Sequence, residues 1–158
     1  MRLMEIMTTD VKVASPDEGA EVAFQRMRNQ RIRHLVVMDR RRLVGILSER
    51  DLGGPRGSAL RMGKTVHDLM TKQAVAASPV TTIRQAANLM RARTIGCLPV
   101  MEDGRLVGIV TLTDLLELVG RQAQFSPSVA SRYQPKYGSK GRMNRRVPQT
   151  ERPTLFSK

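Results

Sequence analysis

The chain has 158 residues, of which 41% are apolar and 3% aromatic, with ten Met, one Cys and a formal net charge of +13 at pH 7. This length is enough for one ordinary domain or for two small halves that share a core. One cysteine excludes an internal disulfide, and no apolar run approaches the ~20 residues of a membrane span or forms a signal peptide, so we expect a cytoplasmic protein without membrane contact.

The charge is unevenly distributed. Residues 1–120 contain 18 Lys and Arg against 13 acidic residues, whereas residues 121–158 contain nine against one acid, Glu151. The last stretch is rich in Ser, Pro, Gly, Gln and Arg and has no apolar period, so it cannot bury enough apolar surface to offset the entropy of ordering. We therefore predict a disordered basic tail over residues 121–158.

The first 120 residues contain an internal duplication. A shift of 63 positions aligns residues 4–52 with residues 67–115 without a gap, and 19 of the aligned pairs are identical. Because single repeat units seldom bury their apolar faces alone, the two copies should pack together as a pseudo-twofold pair. We predict repeat 1 over residues 1–58 and repeat 2 over residues 59–120.

The first copy predicts a strand near Val11–Ala14 and helix-start chemistry at Ser15–Glu18, with Pro early and acids in the first turn. A second strand at Leu35–Met38, a tight turn, a third strand and a helix from Ser48 follow. Spacing of 0, 3, 4 and 7 predicts that one helical face is buried. The residues of this face are Ala20, Ala23, Phe24 and Met27.

The second copy predicts the same order, with strands at Val75–Ala77 and Leu98–Met101, a hairpin turn at Asp103-Gly104 and a helix from Thr111. Its buried helical face would consist of Ile83, Ala86, Ala87 and Met90. Pro99 predicts an edge strand or a late start, because proline cannot donate to a sheet. "GGPRGSALRMGK" between the copies indicates a loop. The fold class is therefore α+β, with two βαββα units.

Both copies end alike, with a glycine inside an apolar strand, then a hydroxyl residue, then an aspartate. A strand glycine often marks a close approach to the backbone. A hydroxyl at a helix start favours phosphate, and a nearby carboxylate can accept from ribose hydroxyls. Ser-x-x-Asp is also close to a capping box, which only starts a helix. A nucleotide site and a cap both remain open. The residues are Gly45, Ser48 and Asp51, and Gly108, Thr111 and Asp114.

These stretches resemble a CBS-domain pair, or Bateman module, over roughly residues 1–120: "MTTDVKVASPDEGAEVAFQRMRNQRIRHLVVMDRRRLVGILSERDL" and "MTKQAVAASPVTTIRQAANLMRARTIGCLPVMEDGRLVGIVTLTDLL". The resemblance implies binding of AMP, ADP, ATP or S-adenosylmethionine in clefts between the repeats, without catalysis. It places Ser48 and Asp51 in one cleft and Thr111 and Asp114 in the other. It also implies adenine walls formed by Val13, Ala14, Leu35 and Val36, and by Ala76, Ala77, Leu98 and Pro99.

The resemblance also implies that the two clefts differ. Arg33 and His34 precede the first apolar strand and Arg50 lies beside Asp51, so that cleft should favour more phosphates. The second copy has Gly96-Cys97 and Thr113 at these places. Val36 stands where the family commonly has Pro, which leaves the local backbone path open.

We expect a homodimer that regulates a separate, unknown protein, with no catalytic residue, no metal site and no cofactor beyond the regulatory ligand. Cys97 is interpreted as a small buried apolar residue, and His34 equally well as a core residue or a phosphate contact. An alternative hypothesis is that residues 121–158 bind nucleic acid or another polyanion through their basic side chains, since Tyr133, Tyr137 and Phe156 are interspersed.

Overall fold

An antiparallel hairpin forms the centre of each repeat. The structure, a computed structural model, describes residues 1–122. In it β2 (His34–Asp39) pairs with β3 (Arg42–Ser48), and β5 (Cys97–Glu102) pairs with β6 (Arg105–Thr111). The pairings are equivalent residue for residue, which confirms the duplication and the α+β fold. Of the tail predicted over residues 121–158, Arg121 and Gln122 belong to the last helix, contrary to prediction, and residues 123–158 lie outside the described residues.

The two hairpins turn differently. Asp103 and Gly104 have φ values of 48° and 74°, as the Asp-Gly sequence predicts for a two-residue turn. In repeat 1 the same place is taken by Arg40 and Arg41, and Arg40 has φ 54°. Each turn thus contains one non-glycine residue with positive φ. Asp tolerates this conformation better than Arg, so the first turn is the more strained one.

The long helices begin later than predicted. α1 spans Ala20–Gln30 and α4 spans Ile83–Arg93, so the expectation of a first helical turn at Ser15–Glu18 is wrong. The N–H of Glu18 donates to the carbonyl of Ser15 and closes a turn there. Residues 18–20 then pair with residues 64–66, which holds Gly19 extended as the residue before the helix.

Tertiary packing selects the buried faces of these helices. In α1 all four predicted residues are buried. In α4, Ala86 and Met90 are buried and Ile83 is half-buried, but Ala87 is exposed, contrary to prediction. Leu89 packs against the core of repeat 2 instead, so the buried face of α4 is turned toward that residue.

The segment that opens each repeat packs on the other repeat. α3 (Val66–Leu69) and β4 (Thr71–Lys72) precede the second repeat's first predicted strand, yet β4 pairs with β3. Conversely, a 3-10 turn at Leu3–Glu5 leads to Thr8, which bridges to Ile109 of β6. The two repeats therefore exchange their first segments.

Two cores result from this exchange, and each contains residues from the other repeat's opening segment. Buried residues of the first are Ala14, Ala20, Ala23, Phe24, Met27, Leu35, Val37, Leu47, Leu52, Val66 and Met70. Buried residues of the second are Leu3, Ala86, Met90, Leu98, Val100, Val110 and Leu115.

The strand glycines accommodate this exchange. A Cβ on Gly45 would lie 2.6 Å from Sδ of Met70, and one on Gly108 would lie 2.5 Å from Sδ of Met7. Each glycine thus makes room for the methionine of the exchanged segment. The predicted close approach is confirmed, and the approaching group belongs to the protein itself.

The first strand is longer in repeat 1 than in repeat 2. β1 (Val13–Ala14) pairs in parallel with β2, and the N–H of Val36 donates to the carbonyl of Lys12 at 3.2 Å. Pro99 occupies the equivalent position and has no N–H. The strand predicted at Val75–Ala77 is accordingly reduced to one bridge between Ala77 and Val100. β5 lies at the edge of its two-stranded sheet, as Pro99 predicts.

The repeats also end differently. α5 (Leu112–Gln122) follows Thr111 as predicted, but the helix predicted from Ser48 is absent. Turns continue to a 3-10 turn at Gly54–Arg56 and the short helix α2 (Ser58–Arg61), within the stretch predicted as loop. Gly53 and Gly54 have φ values of 72° and 58°, which a right-handed helix cannot contain.

Candidate functional site

Ser48 and Asp51 form a closed pair at the end of β3. Oδ2 of Asp51 accepts the N–H of Ser48 at 2.8 Å and its hydroxyl at 2.7 Å. Oγ of Ser48 in turn accepts the N–H of Asp51 at 3.3 Å. Both side chains are half-buried. The pair therefore fixes the carboxylate at a partly open position without a helix behind it.

Thr111 and Asp114 repeat this geometry at the end of β6. The N–H and the hydroxyl of Thr111 donate to Oδ2 of Asp114 at 2.7 and 2.8 Å, and the N–H of Asp114 returns to Oγ1 at 3.3 Å. Here Asp114 lies in the first turn of α5, where the helix dipole favours negative charge.

Capping accounts for the hydroxyl–aspartate spacing in both repeats. Within residues 1–122 the hydrogen bonds of Asp51 and Asp114 end on Oδ2, which leaves Oδ1 of each as the oxygen that faces no protein donor. Capping and ligand binding are compatible, because the cap holds the carboxylate still while its second oxygen stays available. The role of these residues in ligand binding remains a prediction.

Two exposed basic side chains lie near the first carboxylate. Burial lowers the pKa of His34, Asp51 opposes this change, and the positive charges of Arg33 and Arg50 reinforce it. Arg33 and Arg50 are themselves exposed. A neutral imidazole, two exposed guanidinium groups and a carboxylate thus lie within electrostatic range of one another. Their role in binding phosphates remains a prediction.

Repeat 2 contributes Gly96 and Cys97 to the same neighbourhood. A Cβ on Gly96 would lie 3.5 Å from Nε2 of His34. Burial raises the pKa of the Cys97 thiol to about 12, with a further contribution from Asp51. The thiol is therefore protonated at neutral pH and is a poor nucleophile. Its burial confirms Cys97 as a small core residue.

The residues expected to form the adenine walls differ in accessibility. Val13 and Ala76 are exposed and Ala77 is half-buried. The other members, Ala14, Leu35, Val36, Leu98 and Pro99, are buried in the strands. A ligand would contact these five buried residues only through their backbone atoms or after the side chains rearrange. Contacts with Val13 and Ala76 need no such rearrangement, because these side chains are already exposed.

A cavity of about 250 Å³ borders Asp114. Asp114 is the one predicted site residue in its lining. Glu5 and Ile6 could not be predicted, because they belong to the exchanged opening segment of repeat 1. The alignment of Met7 on Met70 indicates that this segment is part of the repeat, but no local pattern shows that it crosses over. The remaining lining residues are Glu117, Leu118 and Arg121. Thr113 is exposed on α5.

No group of three or more His, Cys, Asp or Glu side chains in residues 1–122 is arranged to hold a metal ion. None of the helices in this part of the chain is long and apolar enough to cross a membrane.

Comparison with known sequences identifies relatives over the duplicated part. The family model described as CBS domain matches residues 3–52 and 66–121. The CBS domain-containing protein YhcV of Bacillus subtilis is 31% identical over 112 residues, which are 70% of this chain and 80% of YhcV. The inosine-5'-monophosphate dehydrogenase of Methanocaldococcus jannaschii is 36% identical over 115 residues, 72% of this chain but only 22% of the enzyme.

Solved structures show the same architecture. The CBS domain pair of protein MJ0100, in complex with 5'-methylthioadenosine and S-adenosyl-L-methionine, superposes with a TM-score of 0.70 at 26% identity, over 77% of this chain and 98% of that one. CBSX2 in complex with AMP superposes with a TM-score of 0.66 at 25% identity, over 78% and 98%.

Proposed function

The chain belongs to the CBS-domain family, and on that basis we propose that it is a regulatory protein that binds an adenosine-containing ligand. AMP, ADP, ATP and S-adenosylmethionine are the candidates. The observation that carries the proposal is the doubled hydroxyl–aspartate pair, in which Oδ1 of Asp51 and of Asp114 remains open for ribose hydroxyls. The complexes of MJ0100 and CBSX2 with adenosine compounds support it.

The two clefts would select different ligands. At Asp51 the exposed Arg33 and Arg50 supply full positive charges, which suits a di- or triphosphate. At Asp114 the N-terminus of α5 supplies partial positive charge, and the adjoining cavity is lined by two acids, Glu5 and Glu117, against one basic residue, Arg121. The second cleft therefore suits AMP or an uncharged or cationic adenosine compound.

We propose that the role is regulatory and not catalytic. The inosine-5'-monophosphate dehydrogenase matches reach only 22% and 23% of those enzymes, so their activity does not transfer to this chain. The regulated target would be another polypeptide, whose affinity changes because the ligand prefers one arrangement of the repeats. A cytoplasmic location is part of this proposal.

Self-association would use the exposed apolar stripe of α5. Leu112, Leu116 and Val119 share one side of the helix and are 48%, 62% and 63% exposed. An antiparallel second copy would bring Arg121 of one helix toward Asp114 of the other, which matches opposite charges. We expect Leu116→Glu to halve the mass found by light scattering, whereas Thr113→Glu on the same helix should leave it unchanged.

Thermal unfolding with AMP, ADP, ATP and S-adenosylmethionine tests ligand binding. A ligand at 100 times its Kd adds about 2.7 kcal/mol of stability. We expect Asp51→Ala to abolish the shift by ATP and Asp114→Ala to retain it. If none of the four compounds shifts the transition, the protein is a scaffold; if ATP shifts both variants equally, the ribose assignment is wrong.

The alternative function, polyanion binding, is favoured by the nine basic residues against one acid in residues 121–158. Affinity for single-stranded RNA measured from low to moderate salt would test it, since binding to phosphates weakens steeply with salt. A protein truncated after residue 122 should lose this binding and keep the thermal shifts with adenosine ligands.

A further inference from the structure

Within residues 1–122, one charged side chain is buried. It is Arg61, with 3% of its surface exposed. It lies at the end of α2, in the linker between the repeats. Its guanidinium donates through Nη1 to the carbonyls of Leu52 and Gly54, both at 2.7 Å. These two residues follow Asp51 almost directly, so Arg61 holds the turn that carries the proposed ribose-binding carboxylate.

The same guanidinium is anchored on α1. Its Nε donates to Oε2 of Glu21 at 2.6 Å, and its plane lies over the ring of Phe24 at 3.8 Å from the centroid. Gln25 donates to the other carboxylate oxygen of Glu21 at 2.8 Å. Phe24 is a core residue, so the contact ties the turn to the rigid part of repeat 1.

Repeat 2 does not need such a contact. There Asp114 lies in the first turn of α5, and the backbone hydrogen bonds of that helix fix the residues after it. In repeat 1 the helix is replaced by turns at Gly53 and Gly54, so the carbonyls that a helix would satisfy need another donor. Arg61 is that donor.

We propose that Arg61 is a positioning residue for the first cleft, which holds the Ser48–Asp51 turn in the shape that binds the ligand. The inference rests on the proposed function, because it needs Asp51 to be a ligand contact. Lysine cannot replace arginine here, since one ammonium cannot donate to two carbonyls, pair with Glu21 and stack on Phe24 at the same time.

The test measures each cleft separately by calorimetric titration with AMP and ATP. Asp114→Ala isolates the first cleft and Asp51→Ala isolates the second. Adding Arg61→Lys should weaken the first cleft about tenfold or more, the size of one lost charge-assisted hydrogen bond, and should leave the second within about twofold. Arg56→Lys, at an exposed position in the same linker, is the matched control and should change neither.

A ligand-free readout separates positioning from general destabilisation. In Arg61→Lys the amide of Ser48, bonded to Asp51, should exchange hydrogen faster, while the amide of Thr111 should keep its protection. Glu21→Gln is a milder second variant, to be used if Arg61→Lys does not fold. It should weaken ligand binding in the first cleft by a smaller factor.

Three outcomes overturn the proposal. Unchanged affinity of the first cleft in Arg61→Lys, with ligand bound normally by the unmodified chain, refutes the positioning role alone. Equal losses in both clefts show that Arg61 acts only on global stability. Absence of AMP and ATP binding to the unmodified chain refutes the proposed function, and this inference with it.

Discussion

The two repeats share the pairing of their hairpins and the hydrogen bonds of their capping aspartates, and they separate immediately afterwards. Ser48–Asp51 and Thr111–Asp114 have the same hydrogen bonds within 0.1 Å, yet one pair closes a turn and the other starts an 11-residue helix. A capping box therefore permits a helix but does not impose one. The residues that follow decide, because glycines with positive φ end helical geometry in repeat 1.

The second difference concerns one backbone hydrogen bond. Val36 donates to Lys12, and Pro99 has no N–H to donate, yet both residues occupy the same register against their hairpin partners, Ile46 and Ile109. The loss of the bond shortens the adjoining strand and leaves the hairpin unchanged. The register of each hairpin therefore depends on the pairing of its own two strands. The length of the outer strand depends on whether the neighbouring strand has a backbone N–H to donate.

Gly57→Ala would be the most severe way to disturb the ending of repeat 1. A Cβ there would collide with the carbonyl oxygen of Leu52 and lie 2.7 Å from Cα of Gly53, both of which are backbone atoms. We expect a loss of about 2 to 3 kcal/mol in the free energy of unfolding, measured in urea. Gly120→Ala in α5, where nothing lies within 4 Å, should instead add up to about 1 kcal/mol. Equal losses at both glycines would contradict this account.

Val36→Pro would convert the first strand pairing of repeat 1 into that of repeat 2. The hydrogen bond to Lys12 would be lost at a cost of about 1 kcal/mol, while the register of β2 and β3 should persist because Pro99 tolerates it. Hydrogen exchange would report the retained hairpin, and the reverse change Pro99→Val serves as control. Exchange that accelerates throughout β2 and β3 would show that the bond to Lys12 fixes the hairpin as well.

Replacing each capping aspartate by alanine separates helix capping from turn closure. Asp114→Ala should cost about 1 kcal/mol, because it removes both the cap and the favourable charge at the N-terminus of α5. Asp51→Ala should cost roughly half of that, because no helix dipole acts on it. Urea unfolding measures both. A larger loss at Asp51 would indicate that Arg61 and the linker depend on its carboxylate.

His34 and Cys97 occupy equivalent positions and should limit stability at opposite ends of the pH range. The pKa of His34 is lowered by burial, so the unfolded chain binds the proton first and stability falls as the pH drops below about 6.5. The pKa of Cys97 is raised from 9.0 to about 12, so its contribution is full below pH 9.0 and is lost as the pH rises toward 12. His34→Gln should flatten the acid side and Cys97→Ala the alkaline side of a plot of stability against pH. A variant that flattens the opposite side would contradict the assignment.

Local patterns predicted much of the fold. The Asp103-Gly104 turn follows from residues that tolerate positive φ, and the buried faces at Ala20–Met27 follow from helical spacing. The helix starts could not be predicted in the same way. Ser15–Glu18 has suitable residues for a first turn, but its backbone is paired with the linker near Lys64, and no pattern in either segment reveals that contact.

The sequence likewise predicted only some residues of the candidate site. The positions of Ser48, Asp51, Thr111 and Asp114 could be found because the duplication repeats them at a spacing of 63. Glu5 and Arg61 could not be found. Glu5 reaches its cavity only because the opening segments are exchanged, and Arg61 reaches Leu52 only because the linker folds back on α1.

The sequence by itself determined the duplication, the two hairpins, the capping boxes and the placement of basic residues beside only one aspartate. Each of these depends on residues a few positions apart, or on identity between the copies. Tertiary structure alone decided that Met7 packs on Gly108 and Met70 on Gly45, and that a buried arginine takes the place of a helix in repeat 1. Such contacts join residues that are distant along the chain, and their free energy arises only when both partners are already folded.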